Sequence, residues 1–83
     1  MSTVTYFVAQ PFEITKKGRF VPRQPEQALT AASAVRRAER LAKVSGGAIA
    51  FSRTGDPDFG EFDDAVIIAS FGSVPEDFGH EAG

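Results

Sequence analysis

The chain has 83 residues, of which 42% are apolar and 24% are charged. This length supports one small core, and the composition is typical of globular domains and excludes a wholly disordered chain. The sequence has no cysteine, which excludes disulfides, thiolate metal ligands and cysteine nucleophiles. No apolar run approaches the ~20 residues of a transmembrane helix, and the N-terminus lacks the pattern of a signal peptide. We therefore expect a cytoplasmic protein.

The charged residues are segregated along the chain, whose formal net charge is −2. Residues 1–53 contain all nine basic residues and three acidic ones, a formal charge of +6. Residues 54–83 contain eight acidic residues and no basic one, a formal charge of −8. Two such halves either face each other and water, or form a two-sided surface that attracts another copy or a charged partner.

A long first strand is predicted over residues 3–15. This stretch is rich in β-branched and aromatic residues, which favour strands. Tyr6 and Val8 alternate with Phe7 and Ala9, so both faces are apolar and the strand is expected to be central. Pro11 cannot donate a ladder hydrogen bond, which indicates a bulge or an edge position at that point.

A tight turn and a short second strand are predicted next. Gly18 supplies the positive φ that a hairpin turn over residues 16–19 requires. Phe20 begins a second extended segment. Pro22 and Pro25 keep this segment short and place it at an edge of the sheet.

A helix is predicted after Thr30, which suits the N-cap position, a role that Ser33 could share. Apolar residues then recur at steps of three and four and form one stripe. Its members are Ala31, Ala34, Val35, Ala38, Leu41 and Ala42. Because alanine predominates, the helix is expected to lie close to the sheet. Gly46 can provide a left-handed C-cap.

Two more strands are predicted after the helix, over residues 47–53 and 64–71. An acidic, turn-rich loop over residues 54–63 separates them. Val66, Ile67 and Ile68 make both faces of the last strand apolar, which predicts an interior position in the sheet.

The predicted elements together indicate an α+β fold of ββαββ order. Two hairpins flanking one helix favour a four-stranded, mainly antiparallel sheet with the helix packed on one face. Residues 1–75 are expected to form a single α+β domain. Residues 76–83 are acidic and glycine-flanked, and we expect a flexible tail there.

A single helix covers one face of such a sheet, so the other face is predicted to interact with protein. The chain has eight phenylalanines and one tyrosine, and an apolar uncovered face usually marks an interaction surface. The predicted interface residues are Phe7, Phe12, Phe20 and Phe51. The first hypothesis is therefore a small non-enzymatic interaction or accessory module, either a homodimer or bound to a different protein.

Two alternative functions have some support in the sequence. The first is nucleic-acid binding by a basic helix face, which contains Arg36, Arg37, Arg40 and Lys43. The second is a weak divalent-metal site in the acidic loop of residues 56–64, although the ligand spacing there departs from the EF-hand pattern.

Catalysis has little support in the sequence. His80 is the only histidine, and it falls in the predicted tail, where no rigid shell holds a general base in place. Without cysteine, the usual Ser/His and Cys/His nucleophile arrangements are not expected. We predict that the chain is not an enzyme, has no catalytic residue and uses no cofactor or bound metal.

Four short stretches carry a resemblance to known sequences: residues 34–42 (AVRRAERLA), residues 50–57 (AFSRTGDP), Gly60, and FGxxP over residues 71–75. In these stretches the chain resembles small uncharacterised bacterial single-domain proteins of unknown function. The similarity covers about residues 4–78. It implies a cytoplasmic bacterial protein from a mobile or phage-related region. It implies no activity, so no functional residue follows from it.

Overall fold

The computed structural model describes residues 3–76 and residue 78. In this part of the chain one helix packs on a mainly antiparallel sheet, which confirms the α+β class. The elements are β1 (Val4–Ile14), β2 (Phe20–Pro22), β3 (Glu26–Ala28), α1 (Ala31–Ser45), β4 (Gly47–Asp56), β5 (Glu61–Phe62) and β6 (Val66–Gly72). The short strands β3 and β5 lie where the sequence predicted irregular chain and loop.

The centre of the sheet is the antiparallel pair of β1 and β4. Their register runs from Val4 opposite Gly55 to Phe12 opposite Gly47. Strands β2 and β3 pair with successive parts of the outer side of β1. Strands β6 and β5 do the same along the outer side of β4. The sheet is therefore four strands wide although six strands contribute to it, and the predicted central position of β1 is confirmed.

Helix α1 meets the sheet through alanine. The buried cluster between them consists of Ala34 and Ala38 of α1 with Ala9, Ala28, Ala48 and Ala50 of the sheet. Phe7, Val35 and Leu41 are partly buried against this cluster. Small side chains let the helix axis approach the sheet closely, as the alanine stripe predicted. The result is a core with little apolar volume.

The predicted caps of α1 are confirmed. The Thr30 hydroxyl accepts a hydrogen bond from the backbone N–H of Ser33 at 3.1 Å, so Thr30 is the N-cap and Ser33 is the donor that it satisfies. Gly46 ends the helix with φ of +112°, and its N–H donates to the carbonyl of Ala42. A left-handed residue at this point turns the chain directly into β4.

Pro11 lies inside the central strand, and the expected bulge or edge position is wrong. The Pro11 carbonyl accepts from the Arg23 N–H at 2.9 Å, on the side away from β4. The N and O atoms of one strand residue point to the same side, so the missing N–H also points away from β4. Strands β3 and β2 pair with β1 on either side of Pro11, so the proline removes no ladder hydrogen bond.

Strand β6 lies at an edge of the sheet, so its predicted interior position is wrong. Among the described residues it pairs with β4 alone. Val66, Ile67 and Ile68 are 62%, 44% and 37% exposed. An interior strand that is covered on both faces and an exposed edge strand can have the same apolar sequence pattern. Within residues 3–76 and 78, β2 pairs with β1 alone, which confirms its predicted edge position.

The predicted tail of residues 76–83 lies largely outside the described residues. Of this stretch the structure describes Glu76 and Phe78, and the Phe78 ring packs against the sheet. The only helix in the described ranges has 15 residues, and none there is long and apolar enough to cross a membrane.

Candidate interaction surface

The sheet has an open face, defined here as the face opposite α1. Ala9 of β1 and Ala50 of β4 face the helix. Side chains alternate along strands, so the neighbouring Val8 and Phe51 turn to the open face. These two residues are also direct partners in the β1–β4 ladder. Tyr6 and Phe12 of β1 lie on the same face, because each is an even number of residues from Val8.

Aromatic packing closes one end of the open face. The Phe78 ring centroid lies 5.6 Å from that of Phe12 and 5.3 Å from that of Phe51. Phe12 also meets Phe20 edge to face at 6.4 Å. Such contacts add to simple burial, and they leave Phe12 only 5% exposed. At this end the chain covers its own aromatic residues.

The other end of the open face contains a shallow groove of about 370 Å³. Its lining consists of Tyr6, Val8, Phe51, Arg53 and Phe62. The Tyr6 and Phe62 rings lie 6.0 Å apart, and the Arg53 guanidinium carbon lies 5.9 Å from the Phe62 centroid. Arg53 is also held by its Nε, which donates to the carbonyl of Asp63 at 3.0 Å. The groove is therefore lined mainly by apolar side chains, with Arg53 fixed by contacts to Phe62 and Asp63.

The outer edge of β6 borders the same region. The Thr54 carbonyl accepts from the Asp63 N–H, so Thr54 points its backbone groups to the β5–β6 side. The direction of the backbone N–H and C=O groups repeats every second residue along a strand, so those of Ala50 and Ala48 also point to the β5–β6 side. Their partners in β6 are Ala69 and Phe71, which must face β4. The backbone N–H and C=O of Ser70, between them, therefore point outward from the sheet.

Basic residues collect at one end of the sheet, here called the basic end. The turn after β1 contains Lys16, Lys17 and Arg19, and it follows the point where Phe12 pairs with Gly47. Helix α1 ends next to Gly47, which places Lys43 of its last turn at the same end. Arg23 also lies nearby, 3.6 Å from Glu13.

Acidic residues collect at the opposite end, here called the acidic end. Asp56 pairs with Glu61 where β4 and β5 meet, and the turn between them contains Asp58. Asp63 and Asp64 follow β5. Strand β4 has ten residues, which separates the two ends by about 33 Å at ~3.3 Å per residue. The segregation of charge in the sequence thus becomes a polarity along the strands.

The structure separates the four predicted interface residues. Phe7 packs on the helix side against the alanine cluster, so it does not lie on the open face as expected. Phe12 is on the open face but buried beneath Phe78. Phe20 is exposed beside Phe12, and Phe51 is half-buried between Phe78 and the groove.

The predicted nucleic-acid residues do not form a free basic stripe. Arg37 and Arg40 both donate to Glu26 Oε1, at 3.2 and 3.1 Å. This carboxylate tethers β3 to the helix and cancels part of the positive charge. Arg36 and Lys43 are exposed. Lys43 is also part of the basic end, where Lys16, Lys17 and Arg19 lie in the turn after β1, outside the helix face.

The acidic loop is organised as a turn. The Asp56 carboxylate accepts from the Asp58 N–H at 2.9 Å, and the Asp56 carbonyl accepts from the N–H groups of Phe59 and Gly60. Gly60 has φ of +69°, a conformation that favours glycine. Among residues 3–76 and 78, no group of three or more acidic or histidine side chains is placed to hold a metal ion.

Two features of this surface were missed from the sequence. Phe78 falls in the predicted tail, although an aromatic residue in a polar segment is a signal of docking. In the groove, Tyr6 contacts Phe62 of β5, a stretch for which the sequence predicts a loop. His80, the sole histidine, lies outside the described residues.

No protein family, curated protein or solved structure matches this chain.

Proposed function

We propose that the chain is a non-enzymatic, cytoplasmic protein–protein interaction module that works as a homodimer. The distribution of apolar side chains carries this proposal. Eight apolar residues are buried in the described ranges, six of them alanine, and no large side chain there is fully buried. Ten large hydrophobic residues are exposed. The cysteine-free sequence suits a reducing compartment.

This distribution favours a second apolar contact. Burial stabilises roughly in proportion to apolar area, at about 25 cal/mol per Å², so an alanine core contributes little per residue. Contiguous exposed apolar surface usually marks an interaction site. The groove on the open face adjoins β6, where Ile67 pairs with Phe51. A second copy covering this side would bury Phe62, Val66, Ile67 and Ile68, which the monomer leaves exposed.

Thermal unfolding at several protein concentrations tests the proposal. If folding is coupled to dimerisation, the melting temperature rises with concentration. We expect a continuous rise between about 1 and 100 µM, with a sedimenting mass near twice the 8.9 kDa of the chain. A constant melting temperature together with a monomeric mass would overturn the proposal.

A matched pair of valine substitutions locates the surface. Val66→Thr and Val44→Thr each replace an exposed valine, 62% and 85% accessible, by an isosteric polar residue. Val66 lies in β6 and Val44 near the end of α1. We expect dimer dissociation to increase for Val66→Thr only. Equal effects, or an effect of Val44→Thr alone, would exclude the sheet side as the interface.

The basic end supports nucleic-acid binding as a second candidate function. Lys16, Lys17 and Arg19 occupy one turn, and Lys43 is at the same end of the molecule. Titration with single-stranded and duplex oligonucleotides at ~50 mM salt tests this candidate, because electrostatic affinity is greatest at low salt. It requires binding that weakens on raising the salt and in Lys16→Glu/Lys17→Glu. No binding at ~50 mM salt removes it.

A further inference from the structure

We propose that two copies join edge to edge through β6, antiparallel and related by a two-fold axis, so that one sheet continues across the dimer. This inference rests on the homodimer proposed above and specifies its geometry. The occupant of the β6 edge is a second copy of this chain. A two-fold contact uses the same patch twice, so the patch must be complementary to itself.

The backbone of β6 offers the first element of that complementarity. The N–H and C=O of Ser70 point outward, and β6 has no partner on that side in the described ranges. Residues 69–72 keep a regular register with β4, and the only shift lies beside Ile68. An unpaired edge is a template for pairing with another strand. When two Ser70 segments pair in the antiparallel sense, the outward N–H and C=O groups of both copies form hydrogen bonds.

The two edges of the sheet differ in their protection. The outer side of β1 is occupied by β2 and β3, each three residues long, with Pro22, Arg23 and Pro25 in and between them. Short strands, prolines and charges are the usual devices that prevent edge pairing. Strand β6 is seven residues long and contains neither a charged residue nor a proline. Because these devices protect the β1 side of the sheet and are absent from β6, the β6 edge is the one expected to pair with another strand.

Charge selects a second copy in the antiparallel sense. Strand β6 runs from the acidic end, where Val66 pairs with Ser52, to the basic end, where Gly72 pairs with Gly47. Antiparallel pairing therefore places the acidic end of each copy beside the basic end of the other. Complementary potentials of this kind direct association and register. Glu76, beside Ser70 on the open face, is an acidic exception near the basic end.

Ser70→Pro tests the backbone contact, with Ser70→Ala as its control. Proline removes the outward N–H and adds a ring at the edge, but it leaves the hydrogen bonds of Ala69 and Phe71 to β4 in place. We expect the dissociation constant of the dimer to rise at least about tenfold in Ser70→Pro, with an unchanged helical circular dichroism signal. Ser70→Ala should retain the wild-type constant.

A charge exchange tests the orientation and does not depend on the proline variant folding. One triple variant carries Lys16→Glu, Lys17→Glu and Lys43→Glu, and the other carries Asp58→Lys, Glu61→Lys and Asp64→Lys. All six side chains are exposed. Each variant alone should dimerise at least about tenfold more weakly at low salt, because like charges meet at both ends. A one-to-one mixture should form a heterodimer of near wild-type affinity.

The outcomes separate this geometry from the homodimer itself. A wild-type chain that is monomeric at every concentration overturns both. A wild-type dimer whose affinity is unchanged in folded Ser70→Pro and in each charge variant overturns the β6 pairing and retains the homodimer. A wild-type dimer that tightens as salt is added contradicts the antiparallel arrangement, because salt screens attraction between opposite ends.

Discussion

The Phe78 ring lies 5.3 Å from the Phe51 ring, centroid to centroid, on the face of the sheet that α1 leaves open. Phe51 also lines the groove next to this contact. The chain thus closes one end of its open face and leaves the other end apolar and accessible. Phe51 lies between the closed end and the accessible end of this face. Stability and self-association are therefore expected to depend on different side chains of the same face.

Removing the Phe78 ring should destabilise the fold. Phe78→Ala loses the contacts with Phe12 and Phe51, and we expect a loss of about 1–3 kcal/mol in unfolding free energy, less than for a fully buried phenylalanine. Chemical denaturation at fixed protein concentration measures it. Phe59→Ala is the control, because Phe59 is 69% exposed in the β4–β5 turn. Equal losses in both variants would refute the role of Phe78.

The alanine contact between helix and sheet should not tolerate larger side chains. Ala38 has no exposed surface, whereas Ala32 on the same helix is exposed. Ala38→Leu should cost about 1–3 kcal/mol of unfolding free energy, because added methylenes overpack the contact. Ala32→Leu should change it by less than about 0.5 kcal/mol. A stable Ala38→Leu variant would mean that the helix does not lie this close to the sheet.

Thr30 and Ser33 should contribute differently to helix stability. The Thr30 side chain accepts the hydrogen bond, and Ser33 supplies only its backbone N–H. Thr30→Ala should therefore lower the unfolding free energy by about 1 kcal/mol. Ser33→Ala keeps the donor and should have a much smaller effect. Urea denaturation of both variants decides between the two residues, and the reverse order of effects would assign the cap to Ser33.

The ion pairs of Glu26 should contribute little to stability. Glu26 meets Arg37 and Arg40, but the three side chains are 34%, 42% and 64% exposed. Partly exposed pairs typically contribute less than about 1 kcal/mol. We expect Glu26→Gln to shift the unfolding free energy by no more than that, and the shift to shrink further in ~1 M salt. A larger, salt-independent loss would indicate a buried structural role for Glu26.

Local chemistry explains which parts of the fold were predictable. Thr30 and Gly46 limit α1 through their own capping preferences, and Gly18 and Gly60 adopt the positive φ that their turns require. In β4, Ala48 and Ala50 alternate with larger residues, and the helix covers the alanine side. These signals lie within a few residues of the structure that they specify, so the sequence alone sufficed.

Strand order and long-range docking were not predictable in the same way. Nothing in the sequence of β6 distinguishes an edge from an interior position, because the distinction depends on which strand β4 has beside it. Pro11 is tolerated in a central strand only because β2 and β3 pair on either side of it. Phe7 faces the helix, although it is a phenylalanine in a strand like Phe51, which faces the other way. These facts follow from tertiary arrangement.

The mass of the wild-type protein in solution decides whether the chain pairs with a second copy. Light scattering at low and at moderate salt reports it without labels or substitutions. A homodimer should show about twice the 8.9 kDa of the chain at low salt, with partial dissociation as the salt is raised, because the contact combines apolar area with opposite charges. A mass of 8.9 kDa at both salt concentrations and at the highest attainable protein concentration would contradict it.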